Sequence, residues 1–526
     1  MIEFWPSNSF LLLVGVAFGT RFLVVRHAAT SFDAYGHLYF IKEIKAQRSG
    51  PFGCITPKVV GATTFRHPFL WHWIFGIMPM PALLRFQKWI NATLDALLSL
   101  IAYIVVLCMG YSESIAFFTA LLYLFTPMWF SRLSYGSRIE SLTPRLSSEL
   151  AVNLFFMTFL FKDVTGDTLF LLTGMLLTAF IMLSSKFGLQ ALLFLVPTVA
   201  LISRESLLIY ALLLGVVFSL IVTRGHFLLN VKNQIQHLIW YFRENIQGKM
   251  PISNRNSLSE LFGKLGHHNG SFRKIFVVLR RMLIRNSFTS VMIKMPVLPA
   301  AFILLIAGYM KDGLTIEFSI IAPVLAGFFI YLLVNWPSLL FLGESERYLN
   351  HVAFFIVVAC VSMADELSVH WIIWLLSGYG LIFWCIESFW LHLLEEKYLN
   401  LEVQVDQQKV ISFLVSIENP QVILAYPYHA GGGIFKFMLL TIHKTVFNFM
   451  QSPDNEEKFN ERFAADYPFV HLDKLDDMAD EMGVSVLVAD KRSLCQRGYQ
   501  NWAPSDRWQS VDIDTELLNV YQRVRA

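Results

Sequence analysis

The chain has 526 residues, of which 55% are hydrophobic, 15% aromatic and only 15% charged. A soluble globular chain carries about 25% charged residues, so there is too little charge here for a water-facing surface and the hydrophobic surplus must face lipid. Lys+Arg 42 against Asp+Glu 39 leaves a net charge of +3, which gives no nucleic-acid footprint. The 5 cysteines, at 54, 108, 360, 385 and 495, form no CxxC pair and no zinc spacing.

In chain order, an apolar run at 9–25 comes first. It lacks a basic n-region and a small-residue cleavage site, and reads as a retained helix rather than a signal peptide. Further runs approaching the ~20 residues a membrane span needs lie at 93–110, 113–130, 147–161, 168–184, 188–203, 206–223, 296–310, 317–335, 351–364 and 371–391. They predict about eleven transmembrane helices, several joined by tight hairpins. Four polar regions interrupt them, at 26–92, 131–146, 224–295 and 336–350. The third is basic, and its amphipathic stretches at 226–242 and 276–284 are expected to lie in the interface. From 395 the composition turns charged and mixed. There 422–428 and 484–490 read as strands, 474–483 as a short helix, and 429–433 as a Gly-rich turn without a nucleotide-binding pattern. The expected fold is a polytopic all-α membrane bundle over 1–394, with a first external loop at 26–92 and an amphipathic loop at 224–295, followed by a small α/β domain at 395–526 of a size that folds alone.

Chemistry-bearing residues cluster in the polar regions. Asp33 and His37 stand four apart after the first run, on one face of any helix that starts there, with Thr30 or Ser31 as its cap. Such a pair suits a general base or a metal ligand; the plain alternative is a capping Asp beside a solvated His. His67, before Pro68, falls at a turn ahead of an aromatic run that also holds His72, and such runs commonly anchor at the interface. Arg138 and Arg145 flank Glu140, and paired guanidiniums hold phosphate with bidentate geometry. Lys186 sits in a tight turn, where a lysine can also snorkel to lipid phosphate. Glu344, Glu346, Arg347 and His351 precede a late run, where charge at a membrane edge is functional by default. Alternate crossings by eleven spans place all of these regions on one face and leave only short connectors on the other.

This order of motifs resembles the GT-C superfamily of membrane glycosyltransferases, whose members include the aminoarabinose transferase of lipid A, protein O-mannosyltransferases and single-chain oligosaccharyltransferases. The resemblance rests on an acid in the first external loop (FDAYGH, with Asp33), a His-Pro motif (RHPFLWH, with His67) and a second-loop acid (SRIESLTPR, with Glu140). It also rests on a Lys-Gly-like turn (SKFG, with Lys186), a charged Tyr-containing segment (GESERYLNH) and a terminal α/β domain. It implies an enzyme, a hexosyl or pentosyl transferase moving sugar from a polyprenyl-phosphate-linked donor, with inversion, to a glycan, lipid or protein acceptor. The enzyme would be a multi-pass protein of the inner or plasma membrane, with its active site on the extracytoplasmic face and in contact with membrane lipid. On this reading Asp33 is the base and Glu140 orients the acceptor or assists it. His37, His67, Arg138, Arg145, Lys186, Glu344, Arg347 and His351 bind donor phosphate or sugar. A divalent ion such as Mg or Mn is used by some members and not by others. No acidic partner stands next to Asp33, which sets the chain apart from O-mannosyltransferases. The alternatives are a flippase for lipid-linked sugars, which would show pseudo-symmetric halves, an O-antigen-type ligase or polymerase, and a non-catalytic subunit of an envelope complex. Arg26, Lys42, Lys45 and Arg48 directly after the first run point the large loops inward by the positive-inside rule, but long loops translocate largely regardless of charge.

Overall fold

The structure, a computed structural model, describes residues 8–26, 28, 30–131, 138–246, 286–312, 316–391, 401–447, 450, 453–499 and 502–524. The amphipathic stretch at 276–284 and most of the second polar loop ahead of Arg138 lie outside them. Every apolar run is helical: Asn8–Val25, Met80–Cys108, Glu113–Phe125, Pro144–Leu160, Asp167–Ser184, Lys186–Ser203, Leu207–Val222, Val297–Asp312, Phe318–Val334, Ala353–Glu366 and Trp371–Cys385. Length does not confirm the expected count of eleven spans. Among the described residues five helices are long and apolar enough to cross a membrane, or up to seven if Leu207–Val222 with His226–Arg243, and Ser287–Lys294 with Val297–Lys311, each count as one bent span. At 1.5 Å per residue, the 13 residues of Glu113–Phe125 and the 17 of Phe318–Val334 reach about 20 and 26 Å, short of a ~30 Å hydrocarbon core. The amphipathic helix His226–Ile246 follows Leu207–Val222 at a bend of 113°.

The chain forms two compact units, and their seams differ from the division expected at 394. One gathers the residues before Thr30 with most of 85–390, and the other gathers 30–84 with 391–526. The late seam falls near the composition break. The first loop, however, belongs with the C-terminal domain rather than with the helical module.

In the helical unit, small residues let helices approach closely, as apolar surfaces without a water-driven force require. A Cβ on Gly215 would lie 2.3 Å from Thr178 Cγ2, and one on Gly174 would lie 3.0 Å from Ala211 Cβ, so Asp167–Ser184 and Leu207–Val222 pack nearly backbone to backbone.

In the second unit a five-stranded sheet runs β2-β1-β3-β5-β4, from β1 (Val422–Tyr426), β2 (Lys444–Thr445), β3 (Val486–Asp490), β4 (Trp508–Ser510) and β5 (Leu518–Arg523). β1 lies parallel to β2 and β3, while β5 lies antiparallel to β3 and β4. Both faces of the parallel pair are covered, which explains the nearly continuous apolar sequences VILAY and VLVAD. The first loop is sewn to this sheet. Thr445 N–H donates to the Lys58 carbonyl at 2.9 Å and Val60 N–H to the Thr445 carbonyl at 3.0 Å, extending the edge at β2. Helix Phe32–Ala46 packs against Ile434–Leu440, with Gly36 under the Phe435 ring. Two lysines of the loop finish that second helix: Lys42 Nζ donates to the Leu439 carbonyl and Lys58 Nζ to the Thr441 carbonyl at 3.1 Å, satisfying acceptors that a helix C-terminus leaves open.

Candidate functional site

The helical unit holds a chain of buried charges. Asp95, inside Met80–Cys108, accepts from Arg21 Nε at 2.5 Å, Arg138 Nη1 at 2.6 Å and the Tyr123 hydroxyl at 2.5 Å. Arg138 continues through Nε to Glu149 Oε2 at 2.5 Å, with Nη1 also on the Trp129 carbonyl at 2.7 Å and Nη2 on the Tyr123 hydroxyl at 3.1 Å. Glu149 in turn accepts from Arg145 Nε at 3.3 Å, one helical turn earlier, and from Asn350 Nδ2 at 3.5 Å. Arg21, Asp95, Arg138 and Glu149 are all buried. Charges so far from water persist only when paired and hydrogen-bonded, and each acid here meets at least two cationic or polar donors. The backbone of 138–143 is pinned by Asn91, whose Nδ2 donates to the Ser141 carbonyl at 2.6 Å and the Arg138 carbonyl at 3.1 Å. Asn153 Nδ2 joins the Glu149 and Asn350 carbonyls, at 2.8 and 3.1 Å.

This chain ends at a small cavity of about 10 Å³, roughly one water, lined by Met128, Arg138, Arg145, Ser290, Glu344, Glu346, Arg347 and Asn350. Arg347 pairs with Glu344 and lies over the Phe187 ring at 4.9 Å from its centroid. Three guanidiniums, two from one segment and one from a segment far away in sequence, thus meet at one opening. Two of them are backed by Glu149, so their forks are held in place before any ligand arrives.

The second unit holds Asp33, His37 and His67. Asp33 is exposed in the first turn of Phe32–Ala46, whose N-cap Ser31 accepts from Ala34 N–H at 3.1 Å. His37 turns away into an aromatic cluster, where its Nδ1 meets His72 Nε2 at 2.8 Å. Phe40 lies 6.1 Å, Trp71 6.0 Å and His72 5.0 Å from its ring. Burial pushes the His37 imidazole down to about 3. Burial, and then the neighbouring His37, push His72 well below the usual histidine range. His67 stacks on Phe65 and lies tilted against Phe40 in the same cluster.

The structure therefore gathers four of the expected site residues, Arg138, Arg145, Glu344 and Arg347, around one cavity. Asp33, His37 and His67 belong to the other unit. Glu140 is half-buried on the loop after Arg138 and does not line the cavity. Lys186 heads helix Lys186–Ser203 behind the cap Ser185, and its neighbour Phe187 is the residue that meets Arg347. His351 is buried beside the cavity, with Nδ1 2.7 Å from the Arg347 carbonyl. Asp95, Glu149, Arg21 and Tyr123 were not among the expected residues. The signal for them was available: charged side chains inside apolar runs are costly and mark a pairing partner. Among the described residues no three His, Cys, Asp or Glu side chains gather as a metal-holding group, and Asp95 and Glu149 are engaged by guanidiniums.

The described residues combine five to seven helices long and apolar enough to cross a membrane with a small α/β domain. The chain is similar in fold to the Archaeoglobus fulgidus oligosaccharyltransferase tethered with an acceptor peptide containing the NVT sequon, at a TM-score of 0.53 and 10% identity, over 99% of this chain and 75% of that one. It is likewise similar to the Archaeoglobus fulgidus enzyme in complex with an inhibitory peptide and a dolichol-phosphate, at 0.52 and 10%, over 98% and 74%. No protein-family profile and no curated protein matches the sequence.

Proposed function

We propose that the protein is a glycosyltransferase that moves a sugar from a polyprenyl-phosphate-linked donor to a glycan, lipid or protein acceptor on the extracytoplasmic face of the membrane. The observation that carries this reading is the convergence of Arg138, Arg145 and Arg347 on one buried opening, in a chain with a glycosyltransferase fold. The dolichol-phosphate and acceptor peptide of the archaeal neighbour supply the analogy for a lipid-linked donor and a separate acceptor.

In the proposed reaction the acceptor's nucleophilic heteroatom attacks the anomeric carbon in line. The bond from that carbon to the phosphate oxygen breaks, and the configuration inverts. The acceptor proton passes to a general base, the role the sequence resemblance gives to Asp33. The bonding electrons leave with the lipid phosphate, whose growing charge is met by Arg145 and Arg347. Preorganised donors of this kind at a developing anion supply the largest share of many enzymes' rate. Arg138, with its N–H groups already on Asp95, Glu149, Trp129 and Tyr123, acts as the positioning residue behind them. Glu140 orients the acceptor, and Lys186 and His351 steady the donor.

The test is deletion followed by complementation, read by mass spectrometry of cell-envelope glycans. One glycan feature should vanish on deletion, return with the native chain, and fail to return with Asp33→Asn despite normal membrane levels. Full restoration by Asp33→Asn would remove it as the base. A lost glycan feature together with a lipid-linked sugar accumulated on the cytoplasmic side, and not on the external side, would point to a flippase.

A further inference from the structure

The arginine opening is stoppered by the protein's own carboxylate. Glu344 follows Gly343, whose φ of 100° and ψ of −163° suit glycine alone. The chain thereby turns sharply out of the short helix Pro337–Leu342 and lays Glu344 onto Arg347 as an ion pair. Glu344 is only 8% exposed, and its charge acts on Arg145 as well as on Arg347. With it in place, the space among Arg138, Arg145, Arg347 and Asn350 admits about one water. A phosphate group is larger than that space and enters only by moving part of its lining, which includes the carboxylates of Glu344 and Glu346; of the two, Glu344 is the one paired with Arg347.

An intramolecular anion of this kind competes at a high effective concentration. Bulk phospholipids, and sugars linked through a single phosphate, are phosphodiesters with one negative charge. Such a ligand would exchange one anion for another with no electrostatic surplus, and would lose. A diphosphate carries at least two charges and gives Arg145 and Arg347 more than Glu344 does. We infer that Glu344 is a resident anion that sets the specificity of the pocket, yielding to a lipid-linked diphosphate and excluding phosphodiesters. The inference rests on the proposed use of this pocket for the donor's leaving phosphate, and it narrows the donor class to diphosphate-linked sugars.

The test uses the purified full-length chain in neutral detergent, titrated calorimetrically with geranylgeranyl diphosphate and, separately, with dioctyl phosphate, a monoanionic diester. The native chain should bind the diphosphate at least about tenfold more tightly than the diester. In Glu344→Gln, freeing the guanidiniums should tighten the diester about tenfold, the scale of one charge-assisted hydrogen bond, and narrow the gap. Glu344→Asp, a second and milder variant, pulls the carboxylate back and should give an intermediate gain of about threefold. Glu317→Gln, an exposed charge away from the pocket, controls for net charge and should change neither affinity. Unchanged or weaker diester binding in both Glu344 variants, or an equal gain in Glu317→Gln, overturns the inference. Arg145→Ala separates the two levels. If it abolishes diphosphate binding while Glu344→Gln leaves the preference intact, only the role of Glu344 falls. If diphosphate binding survives Arg145→Ala, the phosphate pocket itself falls, and the inference with it.

Discussion

Asp95→Asn is the sharpest test of the buried charge chain, because the substitution keeps the shape and removes only the charge. Asp95 accepts three hydrogen bonds, two of them from guanidiniums. An asparagine offers one oxygen, and its amide N–H₂ group would face a guanidinium donor. Arg21 then loses its carboxylate partner and Arg138 keeps only Glu149. Removing one member of a buried pair costs about 3–5 kcal/mol, because the surviving charge is left uncompensated. With roughly 2–4 °C lost per kcal/mol in mid-sized domains and less in larger ones, the melting midpoint should fall by about 5–10 °C. The 13 tryptophans give a convenient melting signal in detergent. Arg21→Met in the same chain removes the orphaned cation and leaves Arg138 balanced by Glu149. The double variant should therefore recover at least half of the loss, a coupling that independent sites do not show. A midpoint within about 1 °C of native for Asp95→Asn, or a double variant that loses the sum of the two single effects, would show that the chain does not work as a paired unit.

Acid should loosen the second unit through its histidine cluster. The folded His37 imidazole is held down at about 3 against about 6.5 when unfolded, so between those values the unfolded chain binds the extra proton. Stability is therefore full above about pH 6.5 and falls as the pH drops towards 3, with ~2 kcal/mol lost at pH 5 from His37 alone. Thermal melts at pH 7.5 and 5.0 should show this drop, and His37→Phe should flatten it; an unaltered pH slope in that variant refutes the assignment. In the helical unit, Gly380→Ala would drive a Cβ to within 1.6 Å of the Phe125 carbonyl oxygen, a backbone atom that cannot swing aside. It should cost about 3 kcal/mol and sharply lower the yield of monodisperse protein. Gly378→Ala, with nothing within 4 Å, should not; equal yields would refute the close helix crossing.

Much of the architecture was legible because it depends on local pattern. Every apolar run became a helix, and 422–428, 474–483 and 484–490 became strand, helix and strand as their periodicity implied. What failed was non-local. Span number depends on uninterrupted helix length rather than on the apolar run, and the hydrophobic segments at 113–130 and 317–335 break or end too soon. β2, β4 and β5 are short edge or partner strands whose identity comes from pairing rather than from pattern. The alliance of the first loop with the C-terminal domain rests on Lys42, Lys58 and Thr445, three polar residues that carry no periodic signal. His37 was read against Asp33, its helical neighbour, but its partner is His72, 35 residues away.

The arginine opening shows how more could have been read. Asp95 and Glu149 both lie inside apolar runs, and Arg21 is a cation inside the first run. Lipid tolerates none of them singly, and one arginine cannot neutralise two carboxylates. A further cation had to come from a flanking loop, and the loop just ahead of Glu149 supplies Arg138 and Arg145. Treated as a charge-pairing problem, the sequence calls for a cation from that segment beside Asp95 and Glu149, and the structure puts Arg138 in that place, with Arg145 on Glu149 as well. On the other side Arg347 stands with its own Glu344, so the opening brings arginines and carboxylates from two distant segments together. The buried acids thus fix the geometry of the arginines before any ligand arrives, the preorganisation that a site for an anionic leaving group requires.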